Sequence, residues 1–309
     1  EYIGELCRYL LNTPPHPLER KHKLRVIMGN GLRPEIWPAF KARFRIPRII
    51  EFYGATEGNV ALVNLVGKIG SVGRIPNYMR RMLPTRLVLF DIDREEPVRG
   101  PEGFCIECKA DEIGEAIGKI DEERGRFEGY TKGADTEKKI LRNVFETGDA
   151  WFRTGDLLRR DAQGYFFFVD RIGDTFRWKG ENVATSEVAE AISVFPGVQE
   201  ANIYGVKVPG TDGRAGMASL VSASQIDLAA FKAHLDKNLP AYARPIFLRM
   251  QREIEVTGTF KHRKIELVKE GFDPRVVKDQ IYFLSPVTNQ YVPVTPELHD
   301  RIASGEIRL

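Results

Sequence analysis

Short apolar runs and one helical pattern alternate at the start of the chain. Apolar, strand-forming residues dominate positions 24–28 and 49–52, and a helical pattern covers positions 34–44 between them. Pro34 suits the first turn of this helix, whereas Pro38 weakens the pattern. Strand, helix and strand in this order are typical of a βαβ unit in a mostly parallel sheet. We therefore predict an α/β segment over about residues 1–80.

The pattern then changes to strand-like runs separated by glycine and proline. These runs lie at residues 86–91, 103–108, 151–158 and 165–169. A helical pattern at residues 136–145 is predicted to interrupt them. Short strands at such spacing predict a small β-barrel subdomain over about residues 81–171.

Helices and strands alternate again beyond residue 172. Apolar residues at helical spacing predict helices over residues 185–195 and 227–239, and Asp227 is expected to cap the second. Strand-like runs lie at residues 201–208, 217–223 and 245–250. We predict a small α+β domain over residues 172–309, so that the whole chain combines α/β and α+β architecture.

Composition excludes several classes of protein. A hydrophobic content of 42% and a charged content of 29% are ordinary for a globular protein, and the net charge of +3 is too small to favour a nucleic-acid partner. No apolar run reaches the roughly 18 residues that a membrane-spanning helix needs, and from the composition of residues 1–11 we expect no signal peptide there. We expect a cytoplasmic protein that has no nucleic-acid partner.

The chain has 3 cysteines, too few for a disulfide framework. Cys105 and Cys108 lie in a predicted strand, where residues three apart point to opposite faces. Reduced core thiols are therefore the favoured interpretation. A redox or zinc site is the alternative.

Two glycine-containing segments follow the predicted strands of the first segment. Gly29, Asn30 and Gly31 follow the first strand, where backbone can approach a ligand, although a plain turn has the same composition. The second segment has the sequence YGATEG at residues 53–58. An aromatic ring can stack on a base, a threonine hydroxyl can bind a phosphate oxygen, and a carboxylate suits Mg²⁺. The alternative is a turn with a buried tyrosine and a solvated glutamate.

Two further candidates are polar residues near the ends of strand-like runs. Asp156 in Thr154-Gly155-Asp156 can accept hydrogen bonds from both hydroxyls of a ribose, and Asp149 lies in a second Thr-Gly-Asp triplet. Lys261 can offset negative charge that grows at a phosphate, or it is one of a solvated basic cluster.

The order of these motifs resembles the adenylate-forming superfamily of acyl-CoA synthetases, peptide adenylation domains and luciferases. The resemblance rests on residues 53–58, on WFRTGDL at 151–157, on Asp170 with Arg171, and on TGTFK at 257–261. Residues 176–183 (FRWKGENV), 257–264 and 281–309 are similar to the fatty acid transport protein branch, the very-long-chain acyl-CoA synthetases. The resemblance implies activation of a fatty acid with ATP and Mg²⁺, followed by transfer to CoA. It also implies the carboxyl-terminal part of a large adenylation domain, residues 1–171, before a small mobile domain, residues 172–309.

The resemblance also implies roles for individual residues. Asp156 is preferred to Asp149 because the family motif matches residues 152–157 and not 145–150. Lys261 is implied to contact the carboxylate and the α-phosphate, with Glu57 holding Mg²⁺ and Thr56 next to the phosphates. The implied nucleotide-binding residues are Gly29, Asn30, Gly31, Tyr53, Gly54, Thr56, Asp156 and Arg171.

The second domain is implied to pivot so that its two faces serve two half-reactions. The hinge corresponds to Gly173 or Asp174, and glycine absorbs large backbone changes cheaply. The step that uses CoA is implied to involve Arg177, Lys179 and Gly180. The chain departs from the family at Phe260, which replaces a glycine, and at Lys264, which replaces an arginine.

One family motif does not occur in the chain. No Ser/Thr/Gly-rich loop ending in Pro-Lys precedes the YGATEG segment. We therefore expect residues 1–309 to be the carboxyl-terminal part of a longer enzyme and to be inactive alone. The alternatives are a fatty acid uptake or carrier protein with a vestigial nucleotide site, and an acyl-AMP ligase that serves a carrier protein.

A last expectation concerns membranes. Basic residues are frequent in two regions and suit a peripheral contact with anionic lipid, although a solvated face is the alternative. They are Lys41, Arg43, Arg45, Arg48, Arg80, Arg81 and Arg86.

Overall fold

The computed structural model describes residues 1–54, 60–80, 83, 85–92, 94–120, 139–222, 224–252 and 264–309. The chain forms two compact units, Glu1–Ile172 and Gly173–Leu309. Each unit contains hydrophobic core residues of its own.

A four-stranded sheet opens the first unit, with strand order β1-β2-β3-β4. Its elements are β1 (Tyr2–Ile3), α1 (Gly4–Asn12), β2 (Val26–Asn30), α2 (Trp37–Arg43), β3 (Arg48–Gly54) and β4 (Ala61–Asn64). Strands β2 and β3 are parallel and α2 lies between them in sequence, which confirms the predicted βαβ unit. Trp37 and Phe40 of α2 belong to one buried cluster with Ile49 of β3, so the helix packs through its apolar face.

The rest of the first unit forms a second sheet of seven strands, in which all described strand pairs are antiparallel. Six strands have the order β5-β11-β10-β8-β6-β7, and β9 pairs with β10 outside this order. The strands are β5 (Ser71–Arg74), β6 (Thr85–Asp91), β7 (Glu96–Pro97), β8 (Ile113–Lys119), β9 (Ile140–Arg142), β10 (Ala150–Arg160) and β11 (Tyr165–Arg171), and a 3₁₀ turn covers Asn77–Met79. Among the described residues no ladder joins the end strands β5 and β7. Within the described residues the sheet is therefore open, and the predicted closed barrel is not formed.

Two predicted elements of this region are wrong. Residues 103–108 form isolated bridges in place of a strand, among them Arg99 with Cys105. The described part of residues 136–145, where we predicted a helix, contains strand β9. Leu141 of this strand pairs with Trp151 of β10. Asp149 fixes the turn that follows by accepting hydrogen bonds from the amides of Val144 and Phe145. Long-range pairing here overrides a local helical pattern.

The two neighbouring cysteines behave as core thiols. Cys105 and Cys108 are buried and free, and they belong to different hydrophobic clusters, as expected for side chains on opposite faces. Burial raises the pKa of both thiols, that of Cys108 to about 12. Such thiols stay protonated and are poor nucleophiles and poor metal ligands.

The second unit contains a hairpin, a five-stranded sheet of order β14-β15-β16-β17-β18, and helices. Its elements are β12 (Phe176–Trp178), β13 (Glu181–Val183), α3 (Thr185–Ser193), β14 (Val198–Val206), β15 (Ala215–Ser222), α4 (Leu228–Asn238), a 3₁₀ turn (Ala241–Ala243), β16 (Phe247–Gln251), α5 (Lys264–Glu270), β17 (Gln280–Ser285), β18 (Gln290–Pro293) and α6 (Pro296–Ala303). Asp227 caps α4, as predicted, and accepts hydrogen bonds from the amides of Ala229 and Ala230 at 2.9 and 3.1 Å. The α+β pattern expected beyond residue 172 is confirmed.

Candidate nucleotide site

Tyr53 and Asp156, from the two motifs of the first unit, are in direct contact. The phenol of Tyr53, in β3, donates a hydrogen bond of 2.7 Å to Oδ2 of Asp156, in β10. Burial raises the pKa of Tyr53, and the neighbouring carboxylate of Asp156 raises it further. The phenol therefore stays protonated and acts as a donor. Strand β3 continues through Tyr53 and Gly54, two residues beyond its predicted end, because both residues pair with β4.

Arg171 completes this group from the strand beside Asp156. The two residues lie opposite each other in the β10–β11 ladder, and Arg171 Nε is 3.8 Å from Asp156 Oδ1. One carboxylate oxygen therefore faces a phenol and the other faces a guanidinium. The Asp156 side chain is 20% exposed and that of Arg171 is 51% exposed. A partly open carboxylate beside a cation is suited to accept hydrogen bonds from vicinal hydroxyls.

Asp149, the other aspartate of a Thr-Gly-Asp triplet, has a different environment. Its carboxylate accepts hydrogen bonds from the amides of Val144 and Phe145 at 2.5 and 3.0 Å and from the indole of Trp151 at 2.8 Å. These donors hold the pKa of Asp149 below its usual value, against the opposing effect of burial. The Asp149 side chain thus fixes a turn, while Asp156 faces Tyr53 and Arg171.

The backbone that presents Asp156 departs from regular strand geometry. Gly155 has φ of +75°, a conformation that favours glycine, and its carbonyl accepts a hydrogen bond of 3.0 Å from the amide of Ile172. The hydroxyl of Thr154 donates to the carbonyl of Ala116 at 2.7 Å and accepts from the amide of Asp156 at 3.1 Å. These bonds lie where the ladder between β8 and β10 is interrupted, between Arg153 and Leu157.

The predicted glycine turn lies at the end of β2. Gly29 and Asn30 belong to the strand because they pair with β1, and only Gly31 follows it, with φ of +77°. A Cβ on Gly29 would lie 2.1 Å from the carbonyl oxygen of Tyr2. Packing against Tyr2 is therefore a structural reason for glycine at this position.

Glu51, which sequence reasoning missed, supports this turn. Its side chain lies in β3 and is buried, accepting a hydrogen bond of 3.2 Å from the amide of Leu32 and another from the phenol of Tyr2. Burial raises the pKa of Glu51 to about 7, against the opposing effect of these hydrogen bonds. The residue occupies the same face of β3 as the buried Ile49. A glutamate at an inward position of an apolar run was the available signal.

Three predicted residues lie outside the described residues: Thr56, Glu57 and Lys261. The described ranges contain no group of three or more His, Cys, Asp or Glu side chains that could hold a metal ion. The predicted Mg²⁺ ligand and the predicted catalytic lysine therefore stay predictions.

The chain is similar in sequence to known proteins. The family model described as "AMP-binding enzyme C-terminal domain" matches residues 187–261. Long-chain fatty acid transport protein 2 of Rattus norvegicus is 46% identical over 312 aligned positions, covering 100% of this chain and 50% of the relative. Long-chain fatty acid transport protein 1 of Mus musculus is also 46% identical, with 48% of its length covered. The chain is therefore similar over its full length to long-chain fatty acid transport proteins, and its residues 187–261 match the C-terminal domain of AMP-binding enzymes. The chain spans about half the length of the curated relatives it matches.

Two solved structures of adenylate-binding enzymes share the fold. ATP-bound MatB from Rhodopseudomonas palustris matches with a TM-score of 0.64 and 23% identity, over 84% of this chain and 48% of MatB. The anthranilate CoA ligase AuaEII in complex with anthranoyl-AMP matches with a TM-score of 0.66 and 22% identity, over 87% of this chain and 48% of AuaEII. At these identities the matches establish the fold of the chain.

The boundary between the two units lies between Ile172 and Gly173, next to the predicted hinge residues Gly173 and Asp174. The carboxylate of Asp174 accepts a hydrogen bond of 2.9 Å from Lys264 Nζ, which also donates to Thr185 Oγ1 at 3.0 Å. A Cβ on Gly173 would meet nothing within 4 Å. The hinge candidate Asp174 is thus tied to the first residues of α5 and α3.

The predicted CoA segment forms a tight hairpin between β12 and β13. Its two turn residues, Lys179 and Gly180, have φ of +50° and +85°. Two consecutive residues at positive φ are typical of a type I′ turn, which favours glycine at the second position. Gly180 therefore lies at the tip of the hairpin, where a Cβ would meet no atom within 4 Å.

Most of the basic residues considered for membrane contact form ion pairs or hydrogen bonds with other residues of the chain. Arg43 contacts Glu19 at 3.0 Å, Arg48 donates to the carbonyl of Leu65 at 2.8 Å, and Arg80 pairs with Glu107. Arg81 lies outside the described residues. No helix in the described part of the chain is long and apolar enough to cross a membrane. Peripheral membrane contact stays a prediction.

Proposed function

We propose that the protein carrying this chain is a fatty acid–CoA ligase that activates long or very long chain fatty acids with ATP. The observation that carries the proposal is the contact of Tyr53, Asp156 and Arg171 at the positions of the superfamily motifs. Identity of 46% with proteins named for long-chain fatty acids, over the full length of this chain, supports the choice of substrate. Adenylate-forming neighbours bound to ATP or to an acyl-AMP support the chemistry.

The reaction has two steps. In the first, a carboxylate oxygen of the fatty acid attacks the α-phosphorus of ATP, and pyrophosphate leaves. In the second, the thiol sulfur of CoA attacks the acyl carbon of the adenylate, AMP leaves, and the thiol proton is released. Both steps require stabilisation of negative charge on phosphate oxygens.

In this proposal the Asp156 carboxylate accepts hydrogen bonds from the ribose hydroxyls, and Arg171 stands beside them. The two side chains leave room for this role because both are partly exposed. The Tyr53 ring stacks on the adenine, and the Gly31 turn lies next to the same base. Thr56, Glu57 and Lys261 supply the phosphate contact, the Mg²⁺ ligand and the cation at the reacting carboxylate.

The second unit supplies a different face for each step. Lys261 serves adenylate formation, and the hairpin residues Arg177, Lys179 and Gly180 serve the CoA step. The residues at the unit boundary, Gly173 and Asp174, absorb the rotation. Alternation of this kind lets one compact domain take part in both half-reactions.

A second candidate function is fatty acid uptake without ligation, which the word transport in the names of the relatives favours. In an uptake protein with a vestigial nucleotide site, Asp156 would be free to vary without effect on function. A ligase requires it. The contact of Tyr53 with Asp156 supports a nucleotide site that is still formed.

Two assays separate the candidates. Pyrophosphate exchange into ATP that depends on palmitate, and palmitoyl-CoA formation that depends on CoA, are expected for the ligase. Absence of both, in a folded protein that still binds fatty acid, would support the uptake protein. Residues 1–309 assayed alone are expected to be inactive, since the chain contains no Ser/Thr/Gly-rich loop ending in Pro-Lys.

A further inference from the structure

Glu115 is a fully buried carboxylate in the middle of β8. Its two oxygens contact Nε of Arg153 at 3.1 and 3.0 Å, and its Oε2 also contacts Nη2 of Arg153 at 2.9 Å. Burial raises the pKa of Glu115, and the guanidinium opposes that rise. A charge pair of this kind costs free energy to bury, so it calls for an explanation beyond stability.

The pair lies at the point where the β8–β10 ladder is interrupted. Arg153 pairs with Ile117 and Leu157 pairs with Glu115, so residues 154–156 of β10 face the single residue Ala116. Such a bulge re-aims the side chains that it contains. The bulge carries Asp156, the proposed ribose ligand.

Glu115 also contacts the bulge itself. The amide of Gly155 donates a hydrogen bond of 3.3 Å to Glu115 Oε1. The positive φ of Gly155 turns the chain at this residue, and Asp156 then faces the phenol of Tyr53 at 2.7 Å. A short path of contacts therefore runs from Arg153 through Glu115 and Gly155 to Asp156.

We propose that Glu115 is a positioning residue that holds the bulge at residues 154–156 in the shape that directs Asp156 toward the ribose of a bound nucleotide. This inference rests on the proposed function. Glu115 is itself buried, so it acts through Gly155 and not by contact with the ligand. The consequence is specific: disturbing Glu115 weakens recognition of the ribose hydroxyls more than recognition of the rest of the nucleotide.

The test compares AMP with 2′,3′-dideoxy-AMP, which lacks both ribose hydroxyls, by calorimetric titration of the protein that carries this chain. The wild type is expected to prefer AMP, and Asp156→Ala to lose that preference. Glu115→Gln is expected to lower the preference about tenfold, with affinity for dideoxy-AMP nearly unchanged, since a hydrogen bond to a charged group is worth about that factor. A purely structural role for Glu115 would lower both affinities equally.

A second variant keeps the proposal falsifiable if Glu115→Gln does not fold. Thr154→Val removes the hydroxyl that bridges Ala116 and Asp156 and is expected to reduce the AMP preference in the same way. Asp279→Asn, which breaks the pair of Asp279 with Arg249 at 2.7 Å in the other unit, is the control and should leave the preference unchanged. A folded Glu115→Gln or Thr154→Val protein with the full preference would overturn the proposal. A wild type with no preference for AMP would instead refute the proposed function.

Discussion

The phenol of Tyr53 and the carboxylate of Asp156 are joined by a hydrogen bond of 2.7 Å although 103 positions separate them in sequence. The bond connects the end of a strand in the first sheet with a bulge in the second. Because Asp156 also faces Arg171, its two oxygens are oriented before any nucleotide arrives. Preorganised acceptors of this kind lose little conformational entropy when a ligand binds.

The first prediction concerns this carboxylate. Asp156→Ala should raise KM for ATP about ten- to a hundredfold, because loss of a charge-assisted hydrogen bond is worth roughly 1.5–3 kcal/mol. Asp156→Asn, which keeps the shape and removes the charge, should fall between the wild type and the alanine variant. Steady-state kinetics of pyrophosphate exchange measure both.

The second prediction concerns Asp149, the matched control. Its carboxylate is committed to the amides of Val144 and Phe145 and to the indole of Trp151. Asp149→Ala should lower the free energy of unfolding by about 1–3 kcal/mol per donor left buried and unsatisfied, with KM for ATP unchanged in the protein that stays folded. A rise in KM without loss of stability would show that the choice between the two aspartates was wrong.

Local patterns predicted much of this fold. The apolar run at residues 49–52 predicts strand β3, and the apolar residues at helical spacing in α3 predict a helix. Both patterns can be read because a buried face imposes its period on the sequence. Leu141 was misassigned to a helix, since its partner Trp151 in β10 cannot be found from neighbouring residues. Glu51 and Glu115 were missed for a related reason. A glutamate inside an apolar run is a signal of burial, but its partner, Tyr2 for Glu51 and Arg153 for Glu115, cannot be found from neighbouring residues.

The third prediction is a pH dependence of stability due to Glu51. Its pKa is about 7 in the folded protein, above the value of 4.5 for an unperturbed glutamate. The folded state therefore binds the proton more tightly, and the stabilising contribution is fully present below about pH 4.5 and is lost as the pH rises to about 7. The slope due to this one group is at most roughly 1.4 kcal/mol per pH unit.

Glu51→Gln tests this sign. The amide cannot ionise. Its oxygen can still accept the hydrogen bond from the amide of Leu32 and its NH2 group can donate to the phenol oxygen of Tyr2, so the variant should lose less stability than the wild type between pH 5 and 7.5. Glu19→Gln is the control. Arg43 lowers the pKa of Glu19, so its titration lies below this window and its curve should parallel the wild type. Urea unfolding at several pH values gives the curves, and parallel curves for Glu51→Gln and the wild type would contradict the assignment.

The fourth prediction separates the two half-reactions. Lys261→Ala should stop adenylate formation but leave transfer from supplied acyl-AMP to CoA nearly intact. Gly180→Ala should do the reverse, because an alanine at φ of +85° is strained by about 1–2 kcal/mol and distorts the hairpin tip. Gly210→Ala is the matched control, as Gly210 also has positive φ and open space around it. Equal loss of both half-reactions in a folded Lys261→Ala protein would argue against alternation.

The fifth prediction concerns the contact between Lys264 and Asp174. Lys264 Nζ lies 2.9 Å from Asp174 Oδ2 and 3.0 Å from Thr185 Oγ1, so one ammonium ties the hinge candidate to two helices. The pair is partly exposed and should add only about 0–1 kcal/mol to stability. The contact between Lys264 and Asp174 exists only while Asp174 holds its present conformation. We therefore expect it to change the balance between two orientations of the domain more than it changes the free energy of folding.

Lys264→Met and Asp174→Asn should therefore change the ratio of adenylation rate to thioester rate in the same direction, and the double variant should add little to either. Lys264→Arg should retain most of the wild-type ratio, since the charge is kept. Lys232→Met, which breaks the pair of Lys232 with Asp236 on α4 of the same unit, should cost similar stability and leave the ratio unchanged. Single-turnover measurement of each half-reaction gives the ratio directly. Fully additive effects of the two hinge variants would mean that Lys264 and Asp174 act independently and that the contact between them does not govern the pivot.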